Sequence, residues 1–149
     1  MNSGQRQVWY YNWCQYAVNG GNMYFFYGAY PETSTGGAYI NTSGQFTNGS
    51  DRKFKQNIVD LSYGLAEVLQ LRPVQYQYIK APDRTNYGFI AQEVVDLLPD
   101  VVEHDDENDG LCLSYTEIIA VLTKAIQEQN AMIVELQNTV KQIQSQLAT

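Results

Sequence analysis

Charge is nearly absent from the first third of this chain. Residues 1–49 carry only Arg6 and Glu32, whereas residues 50–149 carry eight Lys or Arg against fifteen Asp or Glu. The net charge of −7 therefore resides in the second part, and nucleic acid is a poor partner, because phosphate binding needs a basic face. Long apolar runs are lacking as well. No stretch approaches the roughly 18 residues of a transmembrane helix, so no membrane span is expected, and Met1–Arg6 lead into aromatic and polar positions instead of a signal-peptide core. Cys14 and Cys112 stand far apart at no metal or redox spacing, and read as free thiols in a reducing compartment. His104 is the single histidine, which leaves an imidazole-based triad one poorly placed candidate. No cofactor or metal is expected.

What is present divides the 149 residues into a β-rich part, residues 1–49, and an α+β part, residues 50–149. Residues 8–30 read as two aromatic strands around Asn19-Gly20, since Asn-Gly suits a tight hairpin turn. Ala38-Tyr39-Ile40 and Gln45-Phe46 read as further short extended pieces between Gly- and Ser-rich turns. So small a sheet has unpaired edges and too little core to stand alone, and is expected to fold within a homotrimer or as the end of a longer protein. Its Tyr and Trp residues suit a carbohydrate-binding or receptor-binding surface. The alternative is that the rings pack between subunits, and that reading is preferred.

In the second part, Leu61, Leu65, Val68 and Leu69 recur at helical spacing within residues 60–71, with Asp60 as N-cap and Pro73 as the stop. Residues 74–79 alternate as a strand. Residues 87–90 predict a second strand running into a helix at 92–98, and Leu111-Cys112-Leu113 a third strand. The run from His104 to Gly110 places Asp105, Glu107 and Asp109 at alternate positions, yet Glu117 falls one residue late for a calcium loop, and a solvated acidic turn is the better reading. Ser114 and Glu117 have the spacing of a capping box at the start of a final helix. Beyond it Ile119, Leu122, Ile126, Gln129, Ile133, Leu136, Val140, Ile143 and Leu147 recur at alternating spacings of three and four, a heptad stripe predicting a coiled coil over about residues 115–148. The a and d residues leave dimer or trimer open, and Gln129 in the seam would cost stability while fixing register.

The junction, Ser50-Asp51-Arg52-Lys53-Phe54-Lys55, holds a hydroxyl nucleophile and an amine base five positions apart. On a helix their side chains diverge and on a strand they face opposite sides, so a turn at Ser50 or a neighbouring subunit must bring them together. Asp51 supports the site as a cap of the following turn, in preference to a partner for Lys55. Lys53 is the alternative base.

From Ser50 onward the sequence resembles the intramolecular chaperone domain of the endosialidase type, an autoprocessing family at the C-termini of bacteriophage tail spikes, tail fibres and neck appendages. The resemblance rests on residues 50–58, then Leu69-Gln70-Leu71-Arg72-Pro73-Val74-Gln75-Tyr76, then Gly88-Phe89-Ile90-Ala91-Gln92-Glu93-Val94, then Leu98-Pro99 with Val101-Val102, then Ser114-Tyr115. Residues 38–46 are similar to the fibre stump that precedes the cut in that family. The resemblance implies a homotrimer that guides its β-rich fibre into shape inside the bacterial host and then releases itself. The scissile bond would be Gly49–Ser50, with Ser50 and Lys55 as the catalytic dyad, residues 1–49 staying in the virion and residues 50–149 leaving. A trimerisation module that never cuts, and an enzyme acting on external substrates, are the rival readings.

An ordinary lysine amine is almost wholly protonated at pH 7. Service as a base needs it desolvated, and burial on assembly would supply that condition.

Overall fold

The computed structural model describes residues 8–11, 14–19, 22–26 and 38–148, with side chains before residue 38 described only at Met23. The chain forms two compact units, residues 1–59 and residues 60–149.

The first unit is a five-stranded antiparallel sheet in sequence order: β1 (Val8–Tyr11), β2 (Cys14–Asn19), β3 (Asn22–Phe26), β4 (Ala38–Ile40) and β5 (Phe46–Asn48). The stretch expected to hold two aromatic strands holds three, because β1 turns back onto β2 with Tyr11 opposite Cys14. Asn19 pairs with Asn22, which places the second reversal beside the expected position; Gly20 itself lies outside the described residues, as does Glu32. The expected segment at 38–40 is strand β4, whereas the one expected at 45–46 starts a residue later, as β5 from Phe46 to Asn48. Their connection is fixed by Asn41, whose Oδ1 accepts the backbone N–H groups of Ser43 and Gln45. Gly44 there adopts φ +77°, a left-handed conformation that favours glycine.

The second unit is a small α+β assembly of short strand pairs and one long C-terminal helix. Its order is α1 (Leu65–Val68), β6 (Val74–Tyr78), β7 (Ala81–Gly88), α2 (Ala91–Val94), a 3-10 turn (Pro99–Val101), β8 (Val102–Asp105), β9 (Gly110–Leu113) and α3 (Tyr115–Leu147). The helix expected over residues 60–71 is a single turn. The N-cap is Gly64, four residues after the expected Asp60, and its N–H is accepted by Glu67 Oε2 at 2.8 Å. The helix expected at 92–98 is likewise shorter and is followed by the Pro99 turn. Strand β7 begins well before the expected residue 87 and pairs with β6 as a hairpin, while Leu111–Leu113 pairs with β8, a strand whose Glu and His residues gave no apolar alternation to read. The acidic run is the β8–β9 turn. Asp105 accepts the N–H groups of Glu107 and Asn108 and the Asn108 amide, which commits its carboxylate to the turn and holds it below the usual carboxylate range.

Helix α3 starts after Ser114 as expected, but Ser114 makes no side-chain cap; the Glu117 N–H bonds to the Ser114 carbonyl instead. The core of this unit is Val94, Leu98, Val101, Ile118 and Val121, with Leu98 fully buried. Each such side chain contributes about 1.5–3 kcal/mol by leaving water. Ile118, Val121 and Ala125 thus fasten the first turns of α3 to its own unit. The heptad stripe lies on the neighbouring face, where Ile119, Ile126 and Leu136 are 62, 65 and 63% exposed.

Candidate functional site

Strand β5 ends at Asn48, so Gly49 and Ser50 lie just past the last rung of the sheet. A 3-10 turn over Arg52–Phe54 follows at once. Asp51 is its N-cap: the carboxylate Oδ1 accepts the Lys53 N–H at 2.9 Å, and the Asp51 carbonyl accepts the Phe54 N–H at 3.0 Å. The turn closes with the Lys55 N–H bonded to the Arg52 carbonyl at 3.0 Å. In five residues the chain therefore reverses, and Lys55 Nζ donates to Ser50 Oγ at 2.8 Å.

The contact is made within one chain, by the turn, and needs no neighbouring subunit to form. An ammonium donates in it; the same contact with a neutral amine would accept the hydroxyl proton, the arrangement of a nucleophile beside its base. Both side chains are exposed. Lys53 is engaged elsewhere, with Nζ 3.3 Å from Asp51 Oδ2 and 4.9 Å from the centre of the Phe54 ring. Asp51 accordingly partners Lys53 and the turn, not Lys55. Exposed apolar side chains flank Lys55 in sequence, Phe54 before it and Ile58 and Val59 after it.

The other segments that carried the resemblance meet in the second unit. Arg72 Nε donates to Glu93 Oε2 at 2.9 Å and its second nitrogen to Oε1, a two-point ion pair that holds the Glu93 carboxyl below its usual range. The Tyr115 hydroxyl accepts the Phe89 N–H at 3.2 Å, and the close approach needs the bare Gly88, because a side chain there would strike that hydroxyl. These residues build the unit's frame. Tyr76, Tyr78, Phe89, Gln92, Cys112 and Tyr115 line an open aromatic cleft whose walls include no Asp, Glu, Lys or His. Among the described residues no cluster of His, Cys, Asp or Glu is arranged to hold a metal, and no described helix is long and apolar enough to cross a membrane. Cys112 is a free, exposed thiol; the side chain of Cys14 lies outside the described residues.

Two tertiary contacts had no sequence signal, Glu128 on α3 reaching Leu65 and Tyr63 donating to Asp100 Oδ2 at 3.3 Å, because each joins positions far apart in the chain.

Residues 50–103 match the model of Peptidase_S74, the chaperone of endosialidase family, and support an endosialidase-type intramolecular chaperone domain over that stretch. The family is named as a peptidase. The match ends within β8, so β9 and α3 lie beyond it. No curated protein and no solved structure matches the chain.

Proposed function

We propose that the chain is the end of a phage tail fibre or spike joined to its intramolecular chaperone. Three copies associate through α3, guide the β-rich segment into a trimer, and then cut themselves at Gly49–Ser50. The observation that carries this reading is the 2.8 Å contact between Lys55 Nζ and Ser50 Oγ beside a glycine carbonyl that no strand contains.

Neutral Lys55 takes the proton of Ser50 Oγ as the oxygen attacks the Gly49 carbonyl carbon. The C–N bond to Ser50's own nitrogen breaks, the amine leaves with a proton from Lys55, and Gly49 becomes an ester on Ser50 Oγ. Water then splits that ester, giving a Gly49 carboxylate and a Ser50 with free amine and hydroxyl. Gly49 leaves its carbonyl unshielded. The exposure of Lys55 in a single chain gives assembly its role: packing of copies around Phe54, Ile58 and Val59 would dry the amine and favour its neutral form.

The chaperone part follows from tethering. Helices joined to the slow, non-local β segments raise their effective concentration to roughly millimolar and fix their register. Removing the helper leaves the fibre kinetically trapped. In this setting assembly takes place in the bacterial host, residues 1–49 remain in the virion tail where their aromatic side chains could meet a host glycan or receptor, and residues 50–149 depart. Freshly purified wild type, Ser50→Ala and Lys55→Ala are compared by intact mass and by sedimentation. A fragment beginning at Ser50 in the wild type alone, with both variants intact and still trimeric, is the expected result. Cutting in the Lys55→Ala chain at the wild-type rate would sink the dyad, and a wild type that stays whole under every assembled condition would leave the non-cleaving trimerisation module.

A further inference from the structure

The seam of α3 contains one polar residue. Gln129 sits at a d position between the Ile126 and Ile133 layers, is exposed in the single chain, and among the described residues makes no side-chain hydrogen bond of its own. Its flanks tell what can cover it. The e positions are Thr123, Asn130, Gln137 and Gln144, and the g positions are Ala125, Met132, Thr139 and Gln146, none charged. Identical helices therefore approach with no like-charge repulsion and no charge code for a different partner. Met132 at g, 59% exposed, extends the apolar stripe sideways, and a wider stripe suits three helices better than two. The face packed on the second unit, Ile118, Val121 and Ala125, lies beside the a and d stripe and leaves that stripe clear.

We propose that three Gln129 side chains, one from each copy, form a binding site for a small monatomic anion such as chloride on the axis of the assembled coil; this rests on the trimer proposed above. The argument is a donor count. Three carboxamides bring six N–H donors and three carbonyl oxygens to one layer. A ring in which each amide donates to its neighbour's carbonyl uses three donors and leaves three converging on the axis, walled above and below by isoleucine. Buried donors take a partner. An anion at the centre receives all three, whereas a water has only two lone pairs and brings donors of its own. Parallel, in-register packing is implied too, because any slip sets Gln129 against Ile or Leu and strands the amides.

The test uses the full 149-residue chain carrying Ser50→Ala, melted in sodium chloride, sodium bromide or sodium gluconate at equal ionic strength, with stoichiometry measured by sedimentation equilibrium. The expected result is a trimer whose melting midpoint rises with chloride or bromide and not with gluconate, and bromide anomalous scattering on the threefold axis at residue 129. Gln129→Leu should remain trimeric and lose the halide dependence; Gln144→Leu, on the flank, should keep it. A trimer indifferent to halide, or bromide-grown crystals with no signal in that layer, overturns the anion site and leaves the trimer standing. A dimer or monomer overturns the assembly and the site together.

Discussion

The carboxylate of Glu128, in the second heptad of α3, accepts the backbone N–H of Leu65 at 2.8 Å and so closes the N-terminus of the one-turn helix α1. Gly64 makes the approach possible, since a β-carbon at that position would run into the carboxylate. Lys124, one turn earlier on α3, steadies the same group from 3.7 Å. Because the helix that bears the seam also caps α1, order in one is tied to order in the other.

Glu128→Ala and Gly64→Ala should each destabilise the chain by about 1–2 kcal/mol, the usual worth of a helix cap. The double variant should be no less stable than the worse single one, as both remove the same bond. Urea unfolding of the four proteins measures this cycle, and full additivity would show that the two residues act separately.

Asp51 acts on the chemistry through the turn that carries Lys55. Asp51→Ala should slow the appearance of the Ser50 fragment about fivefold, corresponding to about 1 kcal/mol of lost capping. Asp51→Asn keeps an N-cap oxygen and should cut at close to the wild-type rate. Equal slowing in both variants would mean that the negative charge, not the cap, is what matters.

A charge in the heptad stripe tests the assembly directly. Ile133→Asp places a carboxylate where each copy would bury one, at an effective penalty of several kcal/mol per ion. Sedimentation should show monomer, and the Ser50 fragment should fail to appear. Prompt cutting by that monomer would separate cleavage from association.

Acid should loosen the second unit through Glu93 and Asp105, both held below the usual carboxylate range by hydrogen bonds from Arg72 and from Asn108. A carboxyl depressed in the folded state contributes stability that is fully present above its unfolded value and is lost as pH falls through the folded one. Glu93→Gln should therefore be less stable than wild type at neutral pH, and the two urea midpoints should converge as pH drops through the carboxylate range. Parallel curves would mean that the ion pair contributes nothing to the pH dependence.

The parts legible in the sequence are those governed by local spacing. The heptad stripe, the start of α3 after Ser114, strand β6 and the proximity requirement between Ser50 and Lys55 all follow from neighbours within one or two turns of chain. The boundaries that shifted did so for tertiary reasons. Residues 60–71 have helical apolar spacing, yet Leu61 is left exposed, and α1 begins only where Glu67 and the distant Glu128 supply acceptors for its N–H groups. Strand β8 was hidden because its pairing with β9, not its own side chains, makes it extended. The ion pair of Arg72 with Glu93 joins two positions 21 residues apart, and nothing in the sequence around either alone calls for the other.

Because β5 stops at Asn48, hydrolysis at Gly49–Ser50 would sever no rung of the sheet, and residues 50–59 belong to the same compact unit as the strands before the cut. The strands before the cut would keep every pairing they had, so nicking alone would leave the sheet unchanged. Cutting and separation of the two pieces are then distinct events, the first read by mass under denaturing conditions and the second by native sedimentation.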